Sequence, residues 1–262
     1  MKITAVEPVH LRLPVVEEIP DGTLDVLVVL IHTDQGLTGI GEVTSQSYVC
    51  KACFDAPRSA QRRHGLTSIL VGEDPRDVER LWEKMYYETN RYGRRGAGIH
   101  AISGADIALW DLKGKAEGKP VYELLGGQQR DTVRAYASVL FADTPEQTAA
   151  MARQYVEMGL TAVKFGWGPI GADPAVDVAH IQAAREAVGQ ERDLMVDAGH
   201  AWEWETALER THLFEPFNLA WLEEPLYPFD VQGHAELAAS ITTPLLHGEN
   251  LYDLLMIRDM LD

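Results

Sequence analysis

The chain has 262 residues, 46% of them hydrophobic, which is enough for one large folded domain or two smaller ones. Forty acidic against 23 basic residues give a formal net charge of -17, and such a surface repels phosphate backbones and anionic lipid headgroups. We therefore expect no nucleic-acid and no membrane partner, and an anionic substrate would need a local positive charge such as a bound divalent cation. No apolar run approaches the ~20 residues of a spanning helix, and the start lacks a signal-peptide core, so we expect a cytoplasmic protein.

The sequence up to residue 127 predicts a mixed α and β domain. Alternating strands are predicted over residues 3–13 and 26–31, and a third strand over 37–43 pairs back after a turn, which gives an antiparallel meander. Helices are predicted over 76–87, where Asp74 is an N-cap followed by proline, and over 101–117.

The two cysteines, Cys50 and Cys53, form a C-x-x-C pair. A zinc site would need four ligands, and no second pair exists. A redox pair should lie at a strand-to-helix turn of a small domain, whereas this pair is expected in a loop. We interpret both as incidental loop thiols.

From residue 132 onward, short apolar strands alternate with helices. Five strands are predicted, at residues 133–139, 162–165, 194–197, 220–223 and 245–248. Thr144 begins a capping box, and Asp173 precedes a proline at the start of the next helix. Five β/α units in a row predict parallel strands, in either a doubly wound sheet or a (β/α) barrel. A closed barrel needs about eight strands, so the fold is open or the sequence is a fragment; we expect a fragment, because five strands would leave an unpaired parallel edge.

Three predicted strands end in acids, Asp197, Glu223 and Glu249, at intervals of 26 residues. One β/α unit separates each pair, so the three side chains should meet at the C-terminal rim of the sheet. Carboxylates held so close repel one another unless a cation lies between them, and all-oxygen ligation suits octahedral magnesium. Taken singly, each acid could instead be a helix N-cap.

Three further polar residues, Lys164, His200 and Glu224, lie near this predicted rim. Lys164 follows a strand one β/α unit before Asp197. Near a metal and partly desolvated, it would have a depressed pKa and could act as a base or as a cationic partner of the substrate carboxylate. The alternative is a surface lysine whose charged end reaches into solvent. His200 lies in the rim loop and could reach substrate. Glu224 could orient Lys164 or a substrate hydroxyl, or only cap a helix. His234 and His247 are expected to be structural.

At these residues the sequence resembles the enolase superfamily, specifically the mandelate racemase and muconate lactonizing enzyme group. The resemblance spans the whole chain, and its motifs are Ala101 to Lys115 (AISGADIALWDLKGK), Leu124 to Gly127 (LLGG), Val196-Asp197, Trp221 to Pro225 (WLEEP) and Gly248 to Asn250 (GEN).

The resemblance implies an α+β capping domain, residues 1–127, over a TIM-like (β/α) barrel, residues 128–262, of which about five units are present. It also implies that Asp197, Glu223 and Glu249 hold one Mg²⁺ per subunit. A homo-oligomer is expected.

The chemistry that the resemblance implies is removal of the proton next to a carboxylate through an ene-diolate intermediate. From their places at the rim, Lys164 and His200 are the expected catalytic residues. The substrate would be a small carboxylate, a sugar acid, under loops near residues 15–23 and 45–53 that close over it. Three residues are expected to bind this substrate: Tyr48, Glu224 and Asn250.

One departure from the family pattern narrows the activity. Many relatives carry Lys-x-Lys on the second strand, whereas this chain has Lys164-Phe165-Gly166. A two-base racemase is therefore disfavoured, and a single base fits dehydration of an acid sugar. A racemase, epimerase or cycloisomerase is the alternative among enzymes, and a truncated, non-catalytic metal-binding protein is the alternative from another class. The His-Asp pair of relatives would lie beyond residue 262.

Overall fold

The computed structural model describes residues 1–17, 24–61 and 63–261, and the chain forms two compact units, Met1–Asp131 and Thr132–Asp262. In the first unit, strands β1 (Ile3–Leu11), β2 (Val26–Thr33) and β3 (Thr38–Val43) form an antiparallel sheet in that order. Alternate residues of β2 are fully buried, as expected for a strand with one face on a core. The predicted meander is confirmed.

Five helices complete the first unit: α1 (Ser47–Asp55), α2 (Leu66–Leu70), α3 (Val78–Glu88), α4 (Ala97–Glu117) and α5 (Val121–Leu124). Helix α4 packs on β3, and a Cβ at Gly41 would lie 1.9 Å from the Gly104 carbonyl oxygen. Only glycine permits this close approach of the helix backbone to the strand. No helix in the described part of the chain is long and apolar enough to cross a bilayer.

Three predictions about these helices are wrong. Helix α3 begins at Val78, because the Asp74 carboxylate accepts hydrogen bonds from the backbone and guanidinium of Arg76 in a local turn and caps no helix. Helix α4 begins at Ala97, four residues earlier than predicted. Cys50 and Cys53 lie in helix α1, not in a loop; both are free thiols.

The second unit is a five-stranded parallel sheet in the order β4-β5-β6-β7-β8. Its strands are β4 (Ala137–Leu140), β5 (Ala162–Gly166), β6 (Asp193–Asp197), β7 (Trp221–Glu223) and β8 (Leu245–Leu246). Its helices are α6 (Pro145–Glu157), α7 (Pro174–Val188), α8 (Trp204–Phe214), α9 (Val231–Ser240) and α10 (Leu254–Leu261). The strand order follows the chain order without reversal, as in a barrel and unlike a doubly wound sheet.

Local sequence signals explain where the helices of this unit begin. Thr144 and Gln147 form the predicted capping box at the start of α6, and the Asp173 side chain accepts from the backbone of Ala175 at the start of α7. Strand β4 begins at Ala137, later than predicted, and Val133 is 77% exposed. Strand β8 ends at Leu246, and Gly248 follows at φ +139°, so the predicted extension to residue 248 is wrong.

Candidate active site

Two of the predicted metal ligands end neighbouring strands of the parallel sheet. Asp197 is the last residue of β6, Glu223 is the last residue of β7, and the two are direct partners across the strand pair. Both side chains are about nine-tenths buried. Parallel pairing therefore brings the two carboxylates side by side at the carboxyl ends of the strands, as predicted.

Lys164 on β5 lies between these two acids. Its Nζ donates to Asp197 Oδ2 at 3.1 Å and to Glu223 Oε1 at 2.7 Å, and its side chain is 11% exposed. Burial lowers the pKa of Lys164, but the hydrogen bonds to Glu223 and Asp197 outweigh burial and raise that pKa. The depressed pKa was expected for a lysine beside a bound metal ion; with only Asp197 and Glu223 as its partners, the carboxylates stabilise the ammonium more than burial penalises it, so its pKa is raised.

The third acid, Glu249, lies in the loop after β8, and its side chain is 53% exposed. Burial raises the pKa of Glu249, and the nearby charges of Glu224 and Asp197 raise it further. Burial also raises the pKa of Asp197, against the hydrogen bond from Lys164. Mutual repulsion among carboxylates at a partly dry rim fits a hard divalent cation with oxygen ligands. Among residues 1–17, 24–61 and 63–261, no three His, Cys, Asp or Glu side chains are already set to hold an ion.

Gly166 occupies the position of the missing second lysine. Because it has no side chain, the backbone of β5 can lie close to Asp197, a predicted metal ligand. A Cβ at Gly166 would lie 2.8 Å from Asp197 Cβ and 3.3 Å from Asp197 Cγ. Carbon atoms normally approach to about 3.5–4.0 Å, so no larger side chain fits beside Asp197 as it stands. A lysine at position 166 would therefore require Asp197 to shift from its present position.

Left-handed backbone recurs after the strands at this rim. Trp167, which follows β5, has φ +56°, and Glu224, which follows β7, has φ +43°. His200, in the loop after β6, has φ +62°. Such conformations are costly for non-glycine residues and concentrate at functional sites. The Trp167 ring lies against Gly199, where an added Cβ would be 2.9 Å from Cε2.

His200 and Asn250 lie together beside Glu224. His200 Nε2 is 3.0 Å from Glu224 Oε2, and Asn250 Nδ2 is 3.4 Å from His200 Nε2 and 3.4 Å from Glu249 Oε1. The Glu224 side chain is 1% exposed. His234, on α9, packs against His247 with ring centroids 4.1 Å apart and ring planes tilted by 46°.

Tyr48 belongs to the first unit, on helix α1, where it is 63% exposed and its ring centroid lies 4.1 Å from that of His10. Its contact with substrate stays a prediction. Of the predicted closing loops, residues 18–23 lie outside the described residues, and residues 47–53 are helical.

The sequence pointed to Gly166 only as a missing lysine, and gave no role in this site to its contact with Asp197 or to Trp167 and Gly199. The available signal was the glycine at the position of the second lysine, followed by Trp167-Gly168 directly after a buried strand. The hydrogen bond from Gly199 N to Asp197 Oδ1 at 3.0 Å shows that the loop after β6 also fixes this carboxylate.

The sheet follows barrel order, and its acids and the buried lysine lie toward the carboxyl ends of the strands, where (β/α)-barrel enzymes hold their active sites. Residues 2–126 match the family described as mandelate racemase / muconate lactonizing enzyme, N-terminal domain, and residues 147–262 match the family described as enolase C-terminal domain-like. The chain belongs to the mandelate racemase and muconate lactonizing enzyme group of the enolase superfamily, as its motifs predict.

Named relatives include dehydratases and cycloisomerases. The chain is 42% identical over 184 residues to L-talarate/galactarate dehydratase of Salmonella typhimurium, an alignment that covers 70% of this chain and 46% of the relative. It is 34% identical to D-galactarolactone cycloisomerase of Agrobacterium fabrum, with 85% of this chain and 57% of the relative covered. The crystal structure of L-talarate dehydratase from Polaromonas sp. JS666 with Mg and L-glucarate superposes with a TM-score of 0.83 at 33% identity, covering 99% of this chain and 69% of that one. The chain spans about half the length of these curated relatives.

Proposed function

We propose that this chain is the site-bearing part of a magnesium-dependent enzyme that removes the proton next to a substrate carboxylate and thereby dehydrates an acid sugar. The observation that carries the proposal is that Nζ of Lys164, from β5, lies between the carboxylates of Asp197 and Glu223 at the ends of the next two strands. Dehydratases among the relatives support the acid-sugar substrate.

Asp197, Glu223 and Glu249 are the residues that would hold one Mg²⁺. When bound, this ion supplies positive charge where a second negative charge develops on the substrate carboxylate. Residues 1–127 would serve as the capping domain of such an enzyme, with residues 128–262 as the part of the barrel that carries the metal ligands.

Lys164 and His200 are the proposed proton carriers. In this arrangement the Lys164 ammonium donates one hydrogen bond to Asp197 and another to Glu223, so Lys164 can remove a substrate proton only after it has been deprotonated. In the elimination, the α C–H bond breaks and its electron pair forms a C=C bond, while the C–O bond to the β-hydroxyl breaks. A proton from an acid such as His200 turns the departing hydroxide into water, and the enol product becomes a 2-keto acid.

A cycloisomerase, racemase or epimerase on the same type of intermediate is the alternative, and the similarity to D-galactarolactone cycloisomerase favours the first of these. The crowding at Gly166 argues against a base in the position of the second lysine. A non-catalytic, metal-binding protein is the alternative from another class. Cytoplasmic location and homo-oligomeric assembly stay predictions.

Incubation with a panel of aldonic and aldaric acids and Mg²⁺ in deuterium oxide separates these functions. A dehydratase yields a 2-keto acid, whereas a racemase or epimerase exchanges the α-proton without that product. Lys164→Met should abolish both outcomes, and Glu205→Gln, at an exposed acid on α8, should change neither. Exchange without keto acid would refute dehydration, and magnesium binding without exchange or product would favour the non-catalytic function.

A further inference from the structure

The side chain of Glu224 lies directly after the metal-ligand candidate Glu223, yet it turns into the protein and is 1% exposed. Its Oε1 accepts from the backbone of Gly248 at 2.7 Å and of Glu249 at 3.2 Å. Its Oε2 is 3.0 Å from His200 Nε2. One buried carboxylate therefore contacts both the loop that carries Glu249 and the imidazole of His200.

We propose that Glu224 is a positioning residue that fixes His200 with its hydrogen on Nε2 and holds the backbone of Glu249, so that His200 presents Nδ1 as the acceptor for a substrate hydroxyl. The catalytic role of His200 rests on the proposed function, whereas the position of its hydrogen on Nε2 does not. In this proposal Glu224 acts through His200 and Glu249, in place of the substrate contact expected for it from the sequence.

The charge of Glu224 decides which ring nitrogen of His200 carries the hydrogen. The Oε1 of Glu224 accepts two backbone N–H groups, those of Gly248 and Glu249, and such bonds favour the ionised form of a carboxylate. An ionised carboxylate only accepts hydrogen bonds, so the 3.0 Å contact requires a hydrogen on His200 Nε2. In a neutral imidazole, Nδ1 then carries no hydrogen, and its lone pair can accept a hydrogen bond.

Two other groups touch this pair and define the competing arrangement. Asn250 Nδ2, a donor, lies 3.4 Å from His200 Nε2 and would favour a bare Nε2 with hydrogen on Nδ1. The charged oxygen of Glu224 is closer, and hydrogen bonds to charged groups are about twice as strong. His247 Nδ1 lies 2.7 Å from the same Oε2 but without hydrogen-bond geometry, so it does not displace His200 from the carboxylate.

Chemically, an Nδ1 acceptor suits a polyhydroxylated acid. When the imidazole is neutral, Nδ1 accepts a hydrogen bond from a substrate hydroxyl. When Nδ1 is protonated, it can give its proton to a departing hydroxide. A carboxylate partner on the other ring nitrogen orients the imidazole and stabilises its charged form, as it does for metal-bound and catalytic histidines.

Long-range ¹H–¹⁵N correlation of the imidazoles tests the proposal at pH 8.5, above the ordinary histidine pKa of about 6.5. The His200 signals are assigned from their loss in His200→Gln. The wild-type chain should show hydrogen on Nε2. In Glu224→Gln the amide NH₂ would face His200 while its oxygen keeps the backbone bonds, so His200 should switch to hydrogen on Nδ1, and Mg²⁺ affinity should fall by about 10–100-fold.

His247→Gln is the matched control, because it removes the other imidazole on the same carboxylate and should leave the His200 tautomer unchanged. Hydrogen on Nδ1 of His200 in the wild type would overturn the proposal without any Glu224 variant, as would an unchanged tautomer in a folded Glu224→Gln. The tautomer is read without substrate. A chain inactive on every sugar acid but with hydrogen on Nε2 would refute the proposed dehydration and leave this pair standing.

Discussion

Gly166→Ala is the change to which the geometry of the site should be most sensitive. The new Cβ would lie 2.8 Å from Asp197 Cβ, 3.2 Å from Asp197 O and 3.3 Å from Asp197 Cγ. To restore an ordinary carbon–carbon distance of about 3.5–4.0 Å, the new Cβ and the Asp197 side chain must move apart by about 1 Å. Both sides of the contact lie on paired, buried strands, so the Asp197 carboxylate has to move.

Two measurable effects follow from that displacement. Overpacking of this kind should lower the free energy of unfolding by about 1–3 kcal/mol. A ligand carboxylate moved by about 1 Å should weaken Mg²⁺ binding by about 10–100-fold, the range found when the surroundings of metal ligands are disturbed. Isothermal titration with Mg²⁺ and urea unfolding measure the two effects.

Gly104→Ala is the control for instability alone. Its Cβ would meet Val43 Cγ2 at 2.3 Å in the first unit, so it should lose stability while Mg²⁺ affinity stays at the wild-type value. Wild-type affinity in folded Gly166→Ala would refute the coupling between Gly166 and Asp197.

Three further changes test the energetics of the two units. Lys164→Met should destabilise the metal-free chain by about 3–5 kcal/mol, because it leaves two buried carboxylates unpaired; Mg²⁺ should raise the Tm of this variant more than that of the wild type, and an equal shift would contradict this. Arg185→Met should cost at least about 3 kcal/mol in urea unfolding, because the guanidinium donates to four backbone carbonyls at 2.8–2.9 Å; a loss below 1 kcal/mol, on the order of one exposed hydrogen bond, would be inconsistent with that network. Burial raises the pKa of Asp106 to about 6, against a hydrogen bond with Trp110, so the folded state holds its proton more tightly than the unfolded state and stability should fall as pH rises from about 4 to about 6. Asp106→Asn should flatten that fall and gain about 1–2 kcal/mol at pH 7, reduced for partial exposure; an unchanged pH profile would refute it.

The sequence predicted the parts of the fold that depend on local pattern. Alternation gave the meander, and the repeated strand–helix units gave the parallel sheet, because each depends on neighbours in the chain. The start of α3 was wrong because Asp74 binds Arg76, a local competition that the Asp-Pro signal conceals. Helix α1 was missed because its short segment around Cys50 and Cys53 carries no proline or side-chain cap signal.

The site was predictable in residue type but not in electrostatics. Strand spacing placed Asp197 beside Glu223, since one β/α unit delivers each to the same rim. The sequence did not reveal that Lys164 donates to both Asp197 and Glu223, two hydrogen bonds that raise its pKa in this arrangement and that only the folded distances show. The burial of Glu224 was equally hidden, since it depends on a left-handed turn directly after β7.

Titration of Mg²⁺ into the wild-type chain and into Asp197→Asn, Glu223→Gln and Glu249→Gln tests the proposed metal site most directly. The wild type should bind one ion, each variant should bind at least about tenfold more weakly, a difference of about 1.4 kcal/mol, and Glu205→Gln should bind as the wild type does. Absence of binding by the wild type, or wild-type affinity in all three variants, would contradict a magnesium site at the ends of these strands.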